Sequence, residues 1–414
     1  MMTVKDQVII MGGGAAGMLA AIFARRQGAD VTILERNSRI GKKILATGNG
    51  RCNFTNINAD LSCYYGNNPQ FAYHALSTFG SKETIDFFEK LGIAHKVEDF
   101  GKVFPMSDQA SSILDVLLYE LTEMGVKIIT NAYVKRIRKE NNQFWIEVED
   151  GSVFQGERVV LATGGKAMPS TGSDGNGYQL AKSLGHTIIA PFPALVQLKL
   201  EGSYFKQIQG VKLVGTAEIL AGDKSVAKDR GDILFADYGV SGPPILQISR
   251  KAGELLQKKE EAILKLTIMD MMSKEDLTHL ISERLKNGSR KTIEFCLVGL
   301  INKRLIPVLL KEAGLKDSKC LAGNVSLQEQ EQIVNLMMDW RFKVRGTKSW
   351  PSAQVTVGGV DTREINPDTM ESKLVKGLFF AGELVDIDGL CGGFNLQWAW
   401  SSGFIAGQNA AFML

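Results

Sequence analysis

The chain has 414 residues, 44% of them hydrophobic and 22% charged, with 48 Lys and Arg against 45 Asp and Glu for a net charge of +3. That balance excludes a disordered chain and a disulfide-stapled miniprotein, and its near-neutrality gives no prior for nucleic acid or an anionic membrane as main partner. Five cysteines (Cys52, Cys63, Cys296, Cys320, Cys391), odd in number and without a CxxC, read as a reduced, cytoplasmic protein. No signal-peptide n-region precedes the first apolar run, and no stretch approaches the ~20 apolar residues of a membrane span.

In chain order, Val8-Ile9-Ile10-Met11 is too short for a helix and predicts a buried parallel strand. A helix is predicted from about Ala15 to Gln27, stopped by Gly28, then a second strand at Val31-Thr32-Ile33-Leu34. The stretch from Gly41 to Asn56 is too polar for core. A helix after Ser107 carries Ile113, Val116, Leu117 and Leu121 on one face and leads to a strand near Val126 to Ile129. Asp150-Gly151 between alternating runs signals a hairpin, and Val159-Val160-Leu161-Ala162 predicts another buried strand. Character changes near Pro191-Phe192-Pro193. Short alternating runs fill residues 195–235, and residues 273–340 read as helical, with Ser273 and Ser326 as N-caps facing Asp276 and Glu329. Glycine-rich α/β character returns at Val355-Thr356-Val357-Gly358-Gly359 and runs through Leu378-Phe379-Phe380 to a helix starting near Gly393.

Gly12-x-Gly14-x-x-Gly17 follows a predicted strand and opens a helix, and Glu35 lies 18 residues past Gly17 at the end of the next strand. This is the fingerprint of a dinucleotide fold. Gly12 makes the turn, Gly14 admits a pyrophosphate to the backbone, and Gly17 lets helix approach strand. The helix N-terminus offers unpaired N–H groups to the phosphates, and Glu35 accepts from ribose hydroxyls. Three features favour FAD over NAD: a downstream strand ending Ala162-Thr163-Gly164-Gly165, a late strand ending Phe380-Ala381-Gly382-Glu383, and the lack of a second GxGxxG.

The segment Gly41-Lys42-Lys43-Ile44-Leu45-Ala46-Thr47-Gly48-Asn49-Gly50-Arg51-Cys52-Asn53 resembles a signature of the BaiN-type NAD(P)/FAD-dependent oxidoreductases, the aminoacetone-oxidase-like bacterial flavoproteins. So do Gly382-Glu383-Leu384-Val385-Asp386 with Asp388-Gly389, Gly392-Gly393-Phe394-Asn395-Leu396-Gln397, Val103-Phe104-Pro105, Gly239-Val240-Ser241-Gly242-Pro243 and Met370-Glu371-Ser372-Lys373. The resemblance covers essentially the whole chain. It implies an α/β fold: a glutathione-reductase-like FAD-binding Rossmann domain over 1–192 and 345–414, interrupted by an insert at 193–344. The insert would have a β-barrel part over about 193–270 and a helical part over about 273–340. The function implied is an FAD oxidoreductase passing a hydride through flavin N5 to or from a small organic substrate, with NAD(P)H as a transient donor. Asp237 stands where the family often has a His, and His74, His95, His186 and His279 all fall outside the signatures, so no catalytic acid or base is assigned.

Together the fingerprint and the resemblance place non-covalent FAD contacts at Gly12, Gly14, Ala15, Ala16, Gly17, Glu35, Arg36, Lys42 and Lys43. Further contacts are expected at Gly48, Gly50, Arg51, Cys52, Asn53, Val134, Ala162, Thr163 and Gly164, and at Gly382, Glu383, Gly392, Gly393, Phe394, Asn395 and Leu396. Arg51 is expected as an anion contact. The amides after Gly393 would face flavin N1 and the C2 carbonyl, and Gly358-Gly359 would allow close approach to the ring. Trp398 and Trp400 read as core, Cys52 and Cys391 as inert thiols, and Asp174-Gly175-Asn176-Gly177 as a turn and N-cap near the cofactor with no chemistry assigned to it. No metal site is expected. Two other readings remain: a flavin redox sensor, and a flavoprotein acting on RNA. Lys258, Lys259, Arg290, Lys291, Lys303 and Arg304 could serve the latter, but interspersed acids favour a solvated helix surface and no nucleic acid partner.

Overall fold

The computed structural model describes residues 3–315 and 317–412. Strand β1 (Thr3–Met11) lies mid-sheet because Val8, Ile9 and Ile10 are apolar on both faces, and all three are fully buried. It pairs in parallel with β2 (Val31–Leu34) on one side and with Val153–Leu161 on the other. Lys127–Ile129 extends the sheet beyond β2. The strand Val153–Leu161 divides its edge. Its first half pairs antiparallel with Gln143–Val148 across the Asp150-Gly151 turn, and its second half pairs in parallel with Leu378–Phe380. A sheet of seven strands results.

Helix α1 (Ala15–Arg26) packs on the C-terminal helix Phe394–Phe412 with almost no side-chain spacing. A Cβ at Gly403 would run into the Ala16 carbonyl, and one at Gly407 into the Ala20 carbonyl. The small residues of both helices thus set the distance between their backbones, and Trp398 and Trp400 fill the core beside them at 1% and 0% exposure.

The chain divides into two compact units, residues 1–192 with 354–414 and residues 193–353, each with its own apolar core. In the second unit Leu198–Leu200, Gly239–Ser241, Lys224–Ala236, Lys212–Ala221, Ile263–Thr267 and Trp340–Thr347 form a closed six-stranded barrel. Helices Lys274–Asn287 and Leu327–Met338 begin at Ser273 and Ser326, whose side chains accept from the N–H of Asp276 and Glu329. Two expected boundaries shift. The barrel does not end near residue 270, because its closing strand, Trp340–Thr347, comes after the helices and pairs with Leu198–Leu200. For the same reason the return to the first unit falls at Gln354 rather than 345.

Candidate functional site

The end of β1 decides the geometry of a cleft in the first unit. Gly12 donates its N–H to the Leu34 carbonyl at 2.8 Å and turns the chain at φ +106°. Gly17 lies so close to this turn that a Cβ there would fall on the Gly12 carbonyl oxygen. Helix α1 then starts with Gly14 as N-cap and with no side chain capping its amides. Above Gly14 the space is open, with no atom within 4 Å of a Cβ built there. Glu35, buried at 6% exposure, accepts from Gly13 N at 2.9 Å through Oε2 and from Asn37 N and Nδ2 at 2.8 and 2.6 Å through Oε1. It therefore stiffens the glycine turn and still has lone pairs to offer.

These groups line one cleft of about 1300 Å³, a volume that includes its mouth open to solvent. Of the expected residues it collects Gly12, Gly14, Ala15, Ala16, Glu35, Arg36, Lys42, Lys43, Val134, Ala162, Thr163, Gly164, Gly382, Glu383, Asn395 and Leu396. At one end Arg36 pairs with Asp174 and lies 4.7 Å from the Tyr133 ring centroid. In the middle, Lys43 pairs with Glu383, whose Oε1 also accepts from Thr356 N at 2.7 Å. Lys42 donates to Asn37 Oδ1 at 3.1 Å and makes no ion pair among the described residues. Thr163 Oγ1 is buried without a hydrogen-bond partner. An uncapped helix N-terminus under open space, an unneutralised lysine and an orphaned hydroxyl in one cleft fit an anionic dinucleotide.

Nine expected contacts do not line the cleft. Gly17 supports the turn from behind. Arg51 is held outward by Glu98 and Asp108 and covers the Phe104 ring at 4.1 Å, so it is no anion contact. Cys52 is fully buried, and Asn53 Oδ1 accepts from Val103 N at 3.1 Å, so Gly48, Gly50, Cys52 and Asn53 shape a loop of which only Thr47 reaches the cleft. Phe394 packs edge-on against Tyr64 at 6.3 Å, and a Cβ at Gly393 would strike the Thr55 carbonyl. Gly392 and Gly393 thus serve the turn before the last helix. Gly358 and Gly359 approach backbone of their own chain, the Ala190 and Leu384 carbonyls, rather than a ligand.

Sequence reading missed Asn37, Tyr133, Thr171 to Ser173, Gln354 and Val355, and it placed Trp398 only in the core, whereas the turn at Asp174 that it set near the cofactor does bring Asp174 and Asn176 to the cleft. Asn37 carried a signal, since an Asx two positions past a strand-ending acid can hydrogen-bond back to it. The others come from distant segments and carried none. Asn395 spends its amide on the Gly389 and Leu390 carbonyls at 2.9 and 3.1 Å, and Trp398 Nε1 donates to Gly382 O at 3.1 Å. Both therefore hold neighbouring backbone in place. Among the described residues no cysteine or histidine lines the cleft, and no cluster of His, Cys, Asp or Glu converges as a metal site.

Burial pushes the Cys52 thiol up to about 12 despite its hydrogen bond with Thr47, whereas Cys391 is exposed. Iodoacetamide at about pH 8, near the ordinary thiol pKa, is expected to label Cys391 and leave Cys52 intact in the folded protein. Peptide mass spectrometry reads this, and early modification of Cys52 would show that its loop opens.

Residues 6–409 match the family described as HI0933-like protein Rossmann domain. Over 408 residues, 98% of this chain and 99% of the relative, the sequence is 41% identical to a 3-dehydro-bile acid delta(4,6)-reductase of Clostridium scindens. It is 32% identical over 407 residues, 98% of each, to a ribosomal RNA dihydrouridine synthase of Escherichia coli. Among solved structures, the 3-ketosteroid-delta4-(5alpha)-dehydrogenase of Rhodococcus jostii RHA1 shares the fold at TM-score 0.50 and 16% identity, over 98% of this chain and 97% of that one. No helix among the described residues is long and apolar enough to cross a membrane. A glycine turn, an uncapped helix and a buried acid at the end of β2 are the parts of a dinucleotide site, and with this match over nearly its full length the chain belongs to the HI0933-like Rossmann family, as an oxidoreductase on an FAD-binding type of Rossmann fold.

Proposed function

We propose that the cleft holds FAD without a covalent bond, and that the enzyme reduces a carbon–carbon double bond conjugated with a carbonyl group. The observation that carries this reading is the single cleft joining the open N-terminus of α1, Glu35 and the Lys43–Glu383 pair. The α1 amides and Lys42 neutralise the pyrophosphate, Glu35 accepts from the adenosine ribose, and Glu383, fixed by Lys43 and Thr356, faces the middle of the cofactor. When bound, FAD supplies hydride transfer at N5. The absence of cysteine and histidine from the lining supports non-covalent binding. Both relatives, by their names, saturate such a bond, one in a 3-oxo bile acid and one in uracil. The net reaction adds a hydride at the β carbon and a solvent proton at the α carbon, with NAD(P)H as the ultimate donor.

Purified protein should be yellow and release intact FAD on acid precipitation. After anaerobic reduction, a 3-oxo-4-ene steroid or a 3-oxo-4,6-diene bile acid should restore the oxidised spectrum, and the saturated 3-oxo analogue should not. Reoxidation by oxygen alone, with every conjugated alkene inert, overturns the reading. With no second nucleotide fold legible in the sequence, reduction by NADH or NADPH should saturate weakly. A second reading, in which the alkene is a uracil within RNA, is favoured by the division of charge. Residues 193–353 hold 25 Lys and Arg against 19 Asp and Glu, whereas the remainder holds 23 against 26.

A further inference from the structure

We propose that residues 284–304 of the second unit form an RNA-contacting surface, an inference that rests on the RNA reading of the substrate. Six cations (Arg284, Lys286, Arg290, Lys291, Lys303, Arg304) stand in this segment against one acid, Glu294. This accounts for most of the unit's positive excess. Most of the barrel's cations are spent on carboxylates, among them Lys212 on Asp232 at 2.9 Å, Arg230 on Asp270 at 2.8 Å, Lys343 on Glu261 and Arg345 on Glu201 at 2.5 Å each. None of the six makes an ion pair among the described residues, and all but the half-buried Arg284 are exposed.

Contacts within the segment bring its two ends near each other. Arg284, on the last turns of the helix Lys274–Asn287, reaches to 4.0 Å of a Cβ built at Gly299, in the turn that leads to Lys303 and Arg304. Arg304 is steadied by the Gln207 carbonyl at 2.8 Å. Arg284 and Lys291 both lie near enough to Cys296 to act on its thiol. The neighbouring acids are few. Glu283 shares the helix, Glu294 is half-buried, and Asp317 accepts from Lys319 N at 2.8 Å.

Phe295 gives the surface its second chemistry. It is 59% exposed on the short turn Ile293–Cys296, with Lys291 Nζ 5.6 Å from its ring centroid. An exposed aromatic ring set among unpaired cations is how proteins hold single-stranded nucleic acid, with phosphates on the cations and a base stacked on the ring. The interspersed acids that made this face look merely solvated in the sequence lie outside residues 284–304, apart from Glu294.

The test is fluorescence anisotropy of the full-length, flavin-loaded protein with a labelled single-stranded RNA of about 20 nucleotides, longer than a typical single-stranded site. Lys286→Glu with Arg290→Glu should weaken binding about tenfold or more and flatten the log–log salt slope by about 0.7 for each phosphate that is no longer neutralised. Lys224→Glu with Lys259→Glu, an equal charge change elsewhere on the unit, should weaken it less than about twofold. Phe295→Ala should weaken it about fivefold or more with the slope unchanged, and Phe295→Tyr should restore it. No binding by wild type at low salt, equal losses in both charge pairs, or binding only to phosphatidylserine vesicles overturns the proposal. The flavin spectrum and the steroid-alkene assay are read on the same samples, so failure of the flavin reading shows separately from failure of this surface.

Discussion

Gly14→Val is expected to yield a folded protein that has lost FAD. The backbone at Gly14 has φ −84° and ψ −170°, extended geometry that any residue adopts, and a Cβ there meets nothing within 4 Å. The cost to the apo fold is that of a poorer N-cap, about 1 kcal/mol, partly offset by a stiffer unfolded chain. The cost to the cofactor is larger. The added methyl groups occupy the space through which a pyrophosphate reaches the first amides of α1. Losing two charge-assisted hydrogen bonds, about 3 kcal/mol or more together, weakens binding by over ~100-fold. Isothermal titration of apo-protein with FAD measures this, alongside the melting temperature without cofactor. Gly17→Ala should do the opposite: its Cβ collides with the Gly12 carbonyl, and the fold loses about 1–3 kcal/mol or more before any ligand is added. Unchanged FAD affinity in Gly14→Val would remove the pyrophosphate from this turn.

Glu35→Ala is expected to weaken FAD by about ten- to a hundredfold, the worth of a charged hydrogen bond at about 1.5–3 kcal/mol. Two effects add. The ribose loses its acceptor, and Gly13 N and the Asn37 amides lose theirs, so the turn under the phosphates loosens as well. Glu35→Gln keeps one oxygen and should fall between wild type and Ala. FMN, which lacks the adenosine, should be indifferent to the ribose contribution. A comparison of the FAD and FMN losses therefore separates ribose binding from loop stiffening. Equal FAD affinity in wild type and Glu35→Ala would show that the adenosine lies elsewhere.

Local patterning made much of this protein legible from its residues alone. β1, α1 and β2, the hairpin at Asp150-Gly151 and the capped helices at Ser273 and Ser326 follow from apolar period, glycine punctuation and capping pairs, all set within a few residues. The glycine cradle and Glu35 were legible for the same reason, since the fingerprint fits within a single βαβ unit. What exceeded local reading was how segments far apart in the chain meet. A polar loop such as Gly48 to Asn53 looks the same whether it faces a ligand or an ion pair. Only the fold shows that Arg51 is taken by Glu98 and Asp108 and that Cys52 is sealed in the core.

Likewise, the sequence marks Gly358, Gly359 and Gly393 as places of close approach but not what approaches. Tertiary packing supplies the answer, the chain's own carbonyls, because the absence of a Cβ permits contact with whatever the fold brings near. The barrel's last strand was hidden behind the helices for a related reason: closure depends on Trp340–Thr347 meeting Leu198–Leu200, a pairing with no local signature. The charge of the second unit was countable from the start. That most of its barrel cations are neutralised while those of residues 284–304 are not is a property of distances, and distances exist only once the chain has folded.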